Sequence, residues 1–149
     1  MSASPRSRVQ RRRDTEHRLD HDVDLWVASA AADAPYLVPL SFDWDGETLL
    51  LATSTRNPTG QNLVATRVVR LGLGDTRDVT MIDGEVGVLP IGSLSPERGD
   101  RFAARTGFDP RTLTGSYRWF RVSPGRVQAW REVDELPDRE LMRDGRWLV

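Results

Sequence analysis

The sequence predicts an antiparallel β-barrel with a few short helices. At least five segments of strand length carry alternating or continuous apolar residues, and turn signals separate many of them. Only two or three segments have helix start and stop signals, too few for the crossover helices of a parallel α/β sheet. With 149 residues, the chain has the size of one hydrophobic core. We therefore expect residues 14–149 to form a single barrel domain.

The N-terminal residues 1–13 are expected to form a disordered basic arm. They contain five arginines, no acidic residue and no apolar period. A solvated tail is the favoured interpretation, and a contact with nucleic acid or another acidic partner is the alternative. Residues 14–22 are expected to form one or two helical turns that lead into the first strand.

Two strands and a hairpin are predicted next. Residues 25–30 form one strand, and alternating apolar residues indicate a second strand over residues 36–42. Pro39 lies inside the second strand, and because proline has no N–H for the ladder, this position is expected at an edge, at a bulge or beside a ligand. Trp44-Asp45-Gly46 is a hairpin signal, so the strand that starts at Glu47 is expected to return antiparallel to the second strand.

The middle of the chain combines a short helix with two strands. The helix is predicted over residues 58–65, a valine-rich strand over residues 68–74 and a longer strand over residues 78–90. The longer strand has enough residues to bend around a barrel. Gly84 or Gly87 is expected to permit that bend.

The last third of the barrel is predicted to hold one more helix and two strands. Ser95-Pro96 indicates the N-cap and first turn of a helix that ends at Gly107. Strands are expected over residues 117–122 and 126–131, on either side of a turn at Pro124-Gly125.

Composition and missing motifs exclude several classes of function. The chain has no cysteine, which rules out disulfide scaffolds, thiolate metal sites and thiol nucleophiles. No apolar run reaches the length of a membrane span and no signal-peptide pattern is present, so we expect a cytoplasmic protein. A nucleophile elbow, a P-loop and a dinucleotide-binding fingerprint are also absent. Any redox role must therefore come from a bound cofactor.

The segment TSTRNPTGQNL, residues 53–63, predicts an anion-binding site. It joins an apolar strand to a helix start, with Asn57 as N-cap and Pro58 at the first helical position. The unpaired N–H groups of a first helical turn and the positive end of the helix dipole attract anions, and nearby hydroxyls and Arg56 add donors. On this segment alone, an ordinary capped strand-to-helix turn is the favoured interpretation.

The same region carries a resemblance to a known family. VPLSFDWDGETLLLATSTRNPTGQNL, the valine-rich strand after it and TRDVTMIDG resemble the core of the split-barrel flavin and deazaflavin oxidoreductases, which include the pyridoxamine 5'-phosphate oxidases. RVQAWRE resembles their closing strand, so the resemblance covers roughly residues 23–133. It implies a mainly β fold, an antiparallel Greek-key split barrel of the FMN-binding type. It also implies a homodimer that closes the cofactor site at its interface.

The resemblance implies a flavin- or deazaflavin-dependent oxidoreductase that acts on a small molecule. The cofactor is FMN or a deazaflavin of the coenzyme F-420 type, and because it would carry the hydride or electron chemistry, no catalytic side chain is assigned. Its phosphate is expected on residues 53–62 and its ring beside the second strand. The implied cofactor-binding residues are Val38, Pro39, Leu40, Thr53, Ser54, Arg56, Thr59, Gln61, Asn62, Arg77 and Trp130.

Several of these roles have simpler alternatives. Arg56 and Arg77 also fit solvated loop and turn arginines, and Trp130 also fits packing at the dimer interface. At residues 59–61, where the family commonly has a lysine or arginine, this chain has threonine, glycine and glutamine. A weakly bound or different cofactor, a non-catalytic flavin-binding protein, and a cofactor-free interaction module that uses Arg11–Arg13 therefore stay open.

Two histidines have a spacing found in some metal sites. His17 and His21 are spaced so that both imidazoles lie on one helix face, as in some metal sites. No HExxH pattern accompanies them, so solvated histidines are the favoured interpretation.

Overall fold

The structure is a computed structural model that describes residues 4–113 and 115–149. In this part of the chain, nine strands form one sheet, and three α-helices pack around it. The strands are β1 Asp24–Ala31, β2 Ala34–Ser41, β3 Asp43–Trp44, β4 Leu49–Ser54, β5 Val68–Asp75, β6 Asp78–Pro90, β7 Tyr117–Arg131, β8 Glu140–Arg143 and β9 Arg146–Trp147. The helices are α1 Arg8–His21, α2 Pro58–Thr66 and α3 Pro96–Thr106.

The sheet is antiparallel throughout its described pairs and curls into a half-barrel. Its strand order is β2-β1-β5-β6-β7-β4-β3, and β8 and β9 extend it from β7. Strands β5, β6 and β7 pair in sequence, while β4 reaches β5 through α2 and lies beside β7. This is a Greek-key arrangement. The predicted mainly antiparallel β fold is confirmed.

Alternation along the strands builds the core. In β1, Leu25 and Val27 are buried whereas Trp26 between them is half exposed, as expected for a strand with one face in the core. A second, smaller cluster lies between β4, β7 and α3, where Phe102 meets Trp119 edge to face. The interior of the curled sheet is filled by fully buried side chains, including Leu49, Leu51, Leu71, Ile82, Phe120 and Val122.

Because neighbouring strands run antiparallel, their ends lie at two opposite ends of the barrel. Helix α1 lies at one end, where Arg18 donates to the backbone oxygen of Asp78 at the start of β6 (2.7 Å). Helix α2 lies at the other end, beside the end of β4 and next to β1 through an Asn62–Ser29 hydrogen bond (3.2 Å). We call these the α1 end and the α2 end. The α2 end contains the end of β6 and the start of β7.

The N-terminal segment differs from its prediction. Residues 8–13, expected in a disordered arm, are helical and belong to α1, which extends through His21. Arg11 is 4% exposed, and its guanidinium donates to the backbone oxygens of Ala129 (3.2 Å) and Glu135 (3.0 Å). Ion pairs and contacts to backbone oxygens hold this helix to the barrel in place of a broad apolar face. Its sequence therefore shows little apolar periodicity. Residues 1–3 lie outside the described residues.

Two strand predictions are also wrong. β2 pairs with β1 along its whole length, and the hairpin partner of β4 is the two-residue strand β3. The predicted turn at Pro124-Gly125 is absent, since β7 is continuous through it. Instead, the β6–β7 register shifts between Asp83 and Gly84, opposite Pro124, so the predicted bend at Gly84 is confirmed. A side chain at Gly84 would have its Cβ 2.7 Å from the Ser123 oxygen.

The predicted caps of α3 are confirmed. Ser95 accepts a hydrogen bond from the Arg98 N–H, and Gly107 ends the helix at φ +74°. Arg98, Arg101 and Arg105 of this helix surround the fully buried carboxylate of Asp43. Charge pairing therefore fastens α3 to the barrel.

Among the described residues, no helix combines the length and the apolar character needed to cross a membrane.

Candidate functional site

The junction between β4 and α2, residues 53–62, brings most of the predicted phosphate-binding residues together. Asn57 occupies the predicted N-cap position and Pro58 the first helical position. The Asn57 side chain makes no capping bond, however, and donates instead to the Thr53 hydroxyl (3.2 Å). The Asn57 N–H donates to the Ser54 oxygen (3.1 Å). The turn is thus folded back onto the end of β4.

Gly60 explains one departure from the family pattern. A Cβ at this position would lie 2.1 Å from the backbone oxygen of Ser54, a distance that no side chain can adopt. The first turn of α2 therefore packs directly against the β4 backbone, and only glycine permits that approach. A lysine or arginine at position 60 is sterically excluded in this arrangement.

Ser116, just before β7, is a junction residue that the sequence analysis missed. Its hydroxyl is hydrogen-bonded to the Ser54 hydroxyl, and its backbone oxygen accepts from the Thr55 N–H (2.9 Å) and the Thr55 hydroxyl (3.1 Å). Ser54 also accepts from the Arg56 N–H (3.1 Å). The residue lies 62 positions from Ser54 in the chain, so no local pattern could have revealed it.

The helix start leaves hydrogen-bond donors without partners. The Thr59 and Gly60 N–H groups have no acceptor among the described residues, as expected for a first helical turn. Thr59 is 2% exposed as a whole residue, and its hydroxyl makes no hydrogen bond among the described residues but is open to solvent. Arg56 is exposed beside this turn. These donors fit an anionic group such as a phosphate, with backbone and hydroxyl contacts rather than a lysine.

Gln61 and Asn62 contribute in different ways. Asn62 donates to the Ser29 hydroxyl of β1, and Ser29 lies opposite Tyr36 of β2. This contact fixes α2 against the β1–β2 hairpin. Gln61 is exposed and donates to the backbone oxygen of Arg56 (3.2 Å), so it closes the turn from outside.

Val38, Pro39 and Leu40 lie on β2, which is an edge strand paired with β1 alone. Val38 and Leu40 are half-buried and pack against the core, whereas Pro39 is exposed opposite Trp26. An edge strand tolerates a proline. The edge position therefore accounts for Pro39 without a ligand.

Arg77 and Trp130 are not brought to the junction. Arg77 lies at the β5–β6 turn and forms an exposed pair with Glu132 (3.3 Å). Trp130 lies opposite Val79 on β7, with the Arg139 guanidinium 5.8 Å from its ring centre. Both positions belong to the α1 end of the barrel.

The outer face of the sheet holds a groove of about 910 Å³. Its walls include apolar residues of β1, β2 and β5, the Arg70–Asp83 ion pair and the bulge near Pro124. None of the predicted cofactor-binding residues lines it. Trp26, Leu37 and Val68 add exposed apolar surface to the same β1, β2 and β5 strands, with 51%, 60% and 57% of their surface exposed.

The two histidines of α1 lie side by side on the surface. Their ring centres are 4.1 Å apart, and His21 Nδ1 is within 2.8 Å of the His17 backbone oxygen. Among the described residues, no group of three or more metal-ligating side chains is assembled.

Comparisons with known proteins establish the fold. No family model matches the chain, and no curated protein matches it in sequence. Among solved structures, an F420 reductase is 20% identical, with a TM-score of 0.62, covering 75% of this chain and 94% of that one. A FAD-binding protein from Mesorhizobium loti is 19% identical, with a TM-score of 0.63, covering 78% and 89%.

A third solved structure is similar to the same extent. The heme storage protein HutZ from Vibrio cholerae is 14% identical, with a TM-score of 0.64, covering 83% of this chain and 98% of that one. The predicted split-barrel fold is therefore confirmed. At such low identities the likeness concerns the fold, and one fold hosts many functions.

Proposed function

We propose that this protein is a homodimeric, cytoplasmic oxidoreductase that uses FMN or a deazaflavin to act on a small molecule. The observation that carries the proposal is the start of α2, where Thr59 and Gly60 offer two N–H groups and one hydroxyl that have no partner among the described residues. Solved structures with this fold include proteins named for F420 reduction and FAD binding. A phosphate-bearing redox cofactor suits both facts.

In this proposal the chain binds and orients the cofactor. Thr53, Ser54, Thr59, Gln61 and Asn62 hold the phosphate end, with Arg56 beside it, and Val38, Pro39 and Leu40 line the ring. The cofactor, when bound, supplies the hydride or electron transfer, and the protein contributes position and polarity. No side chain of this chain has to act as an acid, base or nucleophile.

The proposed dimer interface is the outer sheet face around the groove. Exposed Trp26, Leu37 and Val68 give this face apolar area. The Arg70–Asp83 ion pair of one subunit can lie against the same ion pair of a second subunit across a twofold axis, with opposite charges in contact. Arg77 and Trp130 contribute to the cofactor of the second subunit, because within one subunit they lie at the other end of the barrel. A monomeric mass at micromolar concentration would remove this interface.

Titration of the cofactor-free protein with FMN and with the deazaflavin, followed by fluorescence, tests the proposal. Micromolar or tighter binding of one of them supports it, and no binding of either contradicts it. Reduction of the bound cofactor by a nicotinamide nucleotide, and its reoxidation by a small acceptor, then separate an enzyme from a protein that only stores the cofactor.

The interaction-module alternative loses its basis. It relied on the basic segment Arg11–Arg13 as a free arm, but Arg11 is buried and Arg12 pairs with Glu16 (2.9 Å) and contacts the Val149 oxygen. Only Arg13 of the three is exposed. A binding partner would therefore meet α1 as a folded helix.

A further inference from the structure

The β4–α2 junction holds few positive charges of its own. Arg56 is exposed, and residues 59–61, near which the family that the chain resembles commonly has a lysine or arginine, contain neither; at Gly60 the close Ser54 oxygen excludes any side chain. A cofactor phosphate carries one to two negative charges at neutral pH. If the proposed function holds, a second cation is expected from elsewhere in the fold.

The sheet register brings Arg118 to this place. Arg118 of β7 lies directly opposite Thr53 of β4, and in such pairs the two Cβ atoms are about 5 Å apart on the same face. The preceding pairs on that face, Leu51 with Phe120 and Leu49 with Val122, form the barrel core. Arg118 and Thr53 therefore continue the same row at the mouth of the α2 end.

The contacts of Arg118 hold its guanidinium beside the junction. One nitrogen, Nη1, donates to the backbone oxygens of Gly115 (3.1 Å) and Tyr117 (2.8 Å), the two neighbours of Ser116. Ser116 itself bonds Ser54 and Thr55. Arg118 has no acidic partner within 4.0 Å among the described residues, and its hydrogen bonds there are made by Nη1 alone, so Nε and Nη2 are left to solvent.

We propose that Arg118 supplies the positive charge of the phosphate site at the β4–α2 junction. Its fixed backbone contacts pre-organise the guanidinium, and its two free donors match the bidentate geometry with which arginine binds phosphate oxygens. This inference rests on the proposed function, since it assigns a further binding residue to the same cofactor.

The test compares cofactors with and without their phosphate. Arg118→Ala is expected to weaken FMN binding about 10- to 100-fold, because hydrogen bonds to charged groups contribute that much, while riboflavin binding stays within about twofold. Arg118→Lys keeps the positive charge but lacks the planar guanidinium and its bidentate donors, so it should recover part of the lost FMN affinity. Arg121→Ala is the matched control, since Arg121 lies on the same strand, is exposed and has no ion pair in the described residues. The deazaflavin and its phosphate-free form make the equivalent pair.

The outcomes separate this inference from the proposed function. Equal loss of FMN and riboflavin, or no loss of either, overturns the role of Arg118 and leaves the proposed function standing. If the unmodified protein binds no flavin or deazaflavin, the proposed function fails, and inorganic phosphate becomes the probe. Phosphate-induced NMR shifts of the Thr59 and Gly60 amides that disappear in Arg118→Ala would then support an anion site at Arg118. Absence of such shifts in the unmodified protein would overturn it.

Discussion

The arginines at the two ends of the barrel differ in whether they have acidic partners. At the α1 end, Arg6 pairs with Glu135 (2.7 Å) and Asp14 (2.8 Å), and both Arg18 (2.9 Å) and Arg131 (2.8 Å) pair with Asp78. At the α2 end, Arg56 and Arg118 have no acidic partner among the described residues. These three α1-end arginines are paired with acids, although buried Arg11 of the same end contacts only backbone oxygens. Arg56 and Arg118 at the α2 end have no such pairing with an acid among the described residues.

This difference separates arginines that hold the fold together from arginines that the proposed function assigns to a ligand. Buried charges are tolerated when they are paired and hydrogen-bonded, and Glu135 meets that condition with hydrogen bonds from Arg6 and from the Arg131 N–H. Burial acts to raise the pKa of Glu135, but these hydrogen bonds outweigh it and lower the pKa to about 2. In the proposed function, the unpaired arginines of the α2 end serve an anion that binds there.

The largest expected effect comes from adding a side chain at Gly60, where α2 packs directly against the β4 backbone. Gly60→Ala places a Cβ 2.1 Å from the Ser54 oxygen, so α2 must move away from β4. We expect the free energy of unfolding to fall by about 3 kcal/mol or more and cofactor binding to be lost. Gly92→Ala is the control, because a Cβ there meets nothing within 4 Å. Equal denaturation midpoints for the two variants would show that α2 does not pack as described.

Removing the central acid of the α1 end should destabilise the fold without affecting the cofactor. Glu135→Gln leaves the Arg6 guanidinium without its buried counter-charge, and we expect a loss of about 2–3 kcal/mol in urea unfolding. Glu132→Gln, which breaks only an exposed pair with Arg77, should cost less than about 0.5 kcal/mol. Unchanged FMN affinity in Glu135→Gln would confirm that the two ends act independently, and a large loss of affinity would contradict it.

The same carboxylate predicts an acid-dependent loss of stability. Glu135 has an ordinary pKa of 4.5 and a folded-state pKa of about 2, so between these values the unfolded chain takes up a proton that the folded chain does not. Its contribution, up to about 3 kcal/mol, is therefore present above pH 4.5 and is lost as the pH falls toward 2. Urea midpoints measured from pH 5 to pH 2.5 should fall less steeply in Glu135→Gln. Parallel curves would assign the acid sensitivity to other carboxylates.

The sequence predicts the structural features that depend on residues close to one another in the chain. Asn57 and Pro58 mark the start of α2, Ser95 and Gly107 bound α3, and alternation marks β1 and β2. These signals come from backbone geometry within a few residues. The segment at residues 53–63 is identifiable for the same reason.

What the sequence does not predict depends on contacts between distant residues. Arg118 and Ser116 reach the junction only because β7 pairs with β4 in one register. Helix α1 is anchored by Arg11, which donates to the Glu135 backbone oxygen, and by Arg18, which pairs with Asp78, so it lacks the apolar period that identifies most helices. The continuity of β7 through Pro124 follows from the bulge at Gly84 on the neighbouring strand.

Smaller effects are expected from the hydroxyls of the α2 end. Thr53→Ala and Thr59→Ala each remove one neutral hydrogen-bond donor, so flavin affinity should fall about 3- to 10-fold while the unfolding free energy changes by about 1 kcal/mol or less. Thr112→Ala, which removes an exposed hydroxyl bonded to the Asp109 oxygen, serves as the control. Affinity equal to that of the control in both variants would exclude these hydroxyls from the phosphate site.

The smallest effect, that of Arg77, can show whether the two ends meet across a dimer. Its exposed pair with Glu132 should make Arg77→Ala neutral for stability, within about 0.5 kcal/mol, and FMN affinity should fall by only about two- to fivefold. Mixed dimers of one Arg77→Ala subunit and one Thr59→Ala subunit separate the alternatives. If Arg77 acts on the partner's cofactor, one site carries both changes and the other is intact, so half of the sites should bind with full affinity. If Arg77 acts within its own subunit, every site carries one defect and no intact class appears in the titration. The second result would place the α1 end beside its own junction, which the register of β6 and β7 opposes.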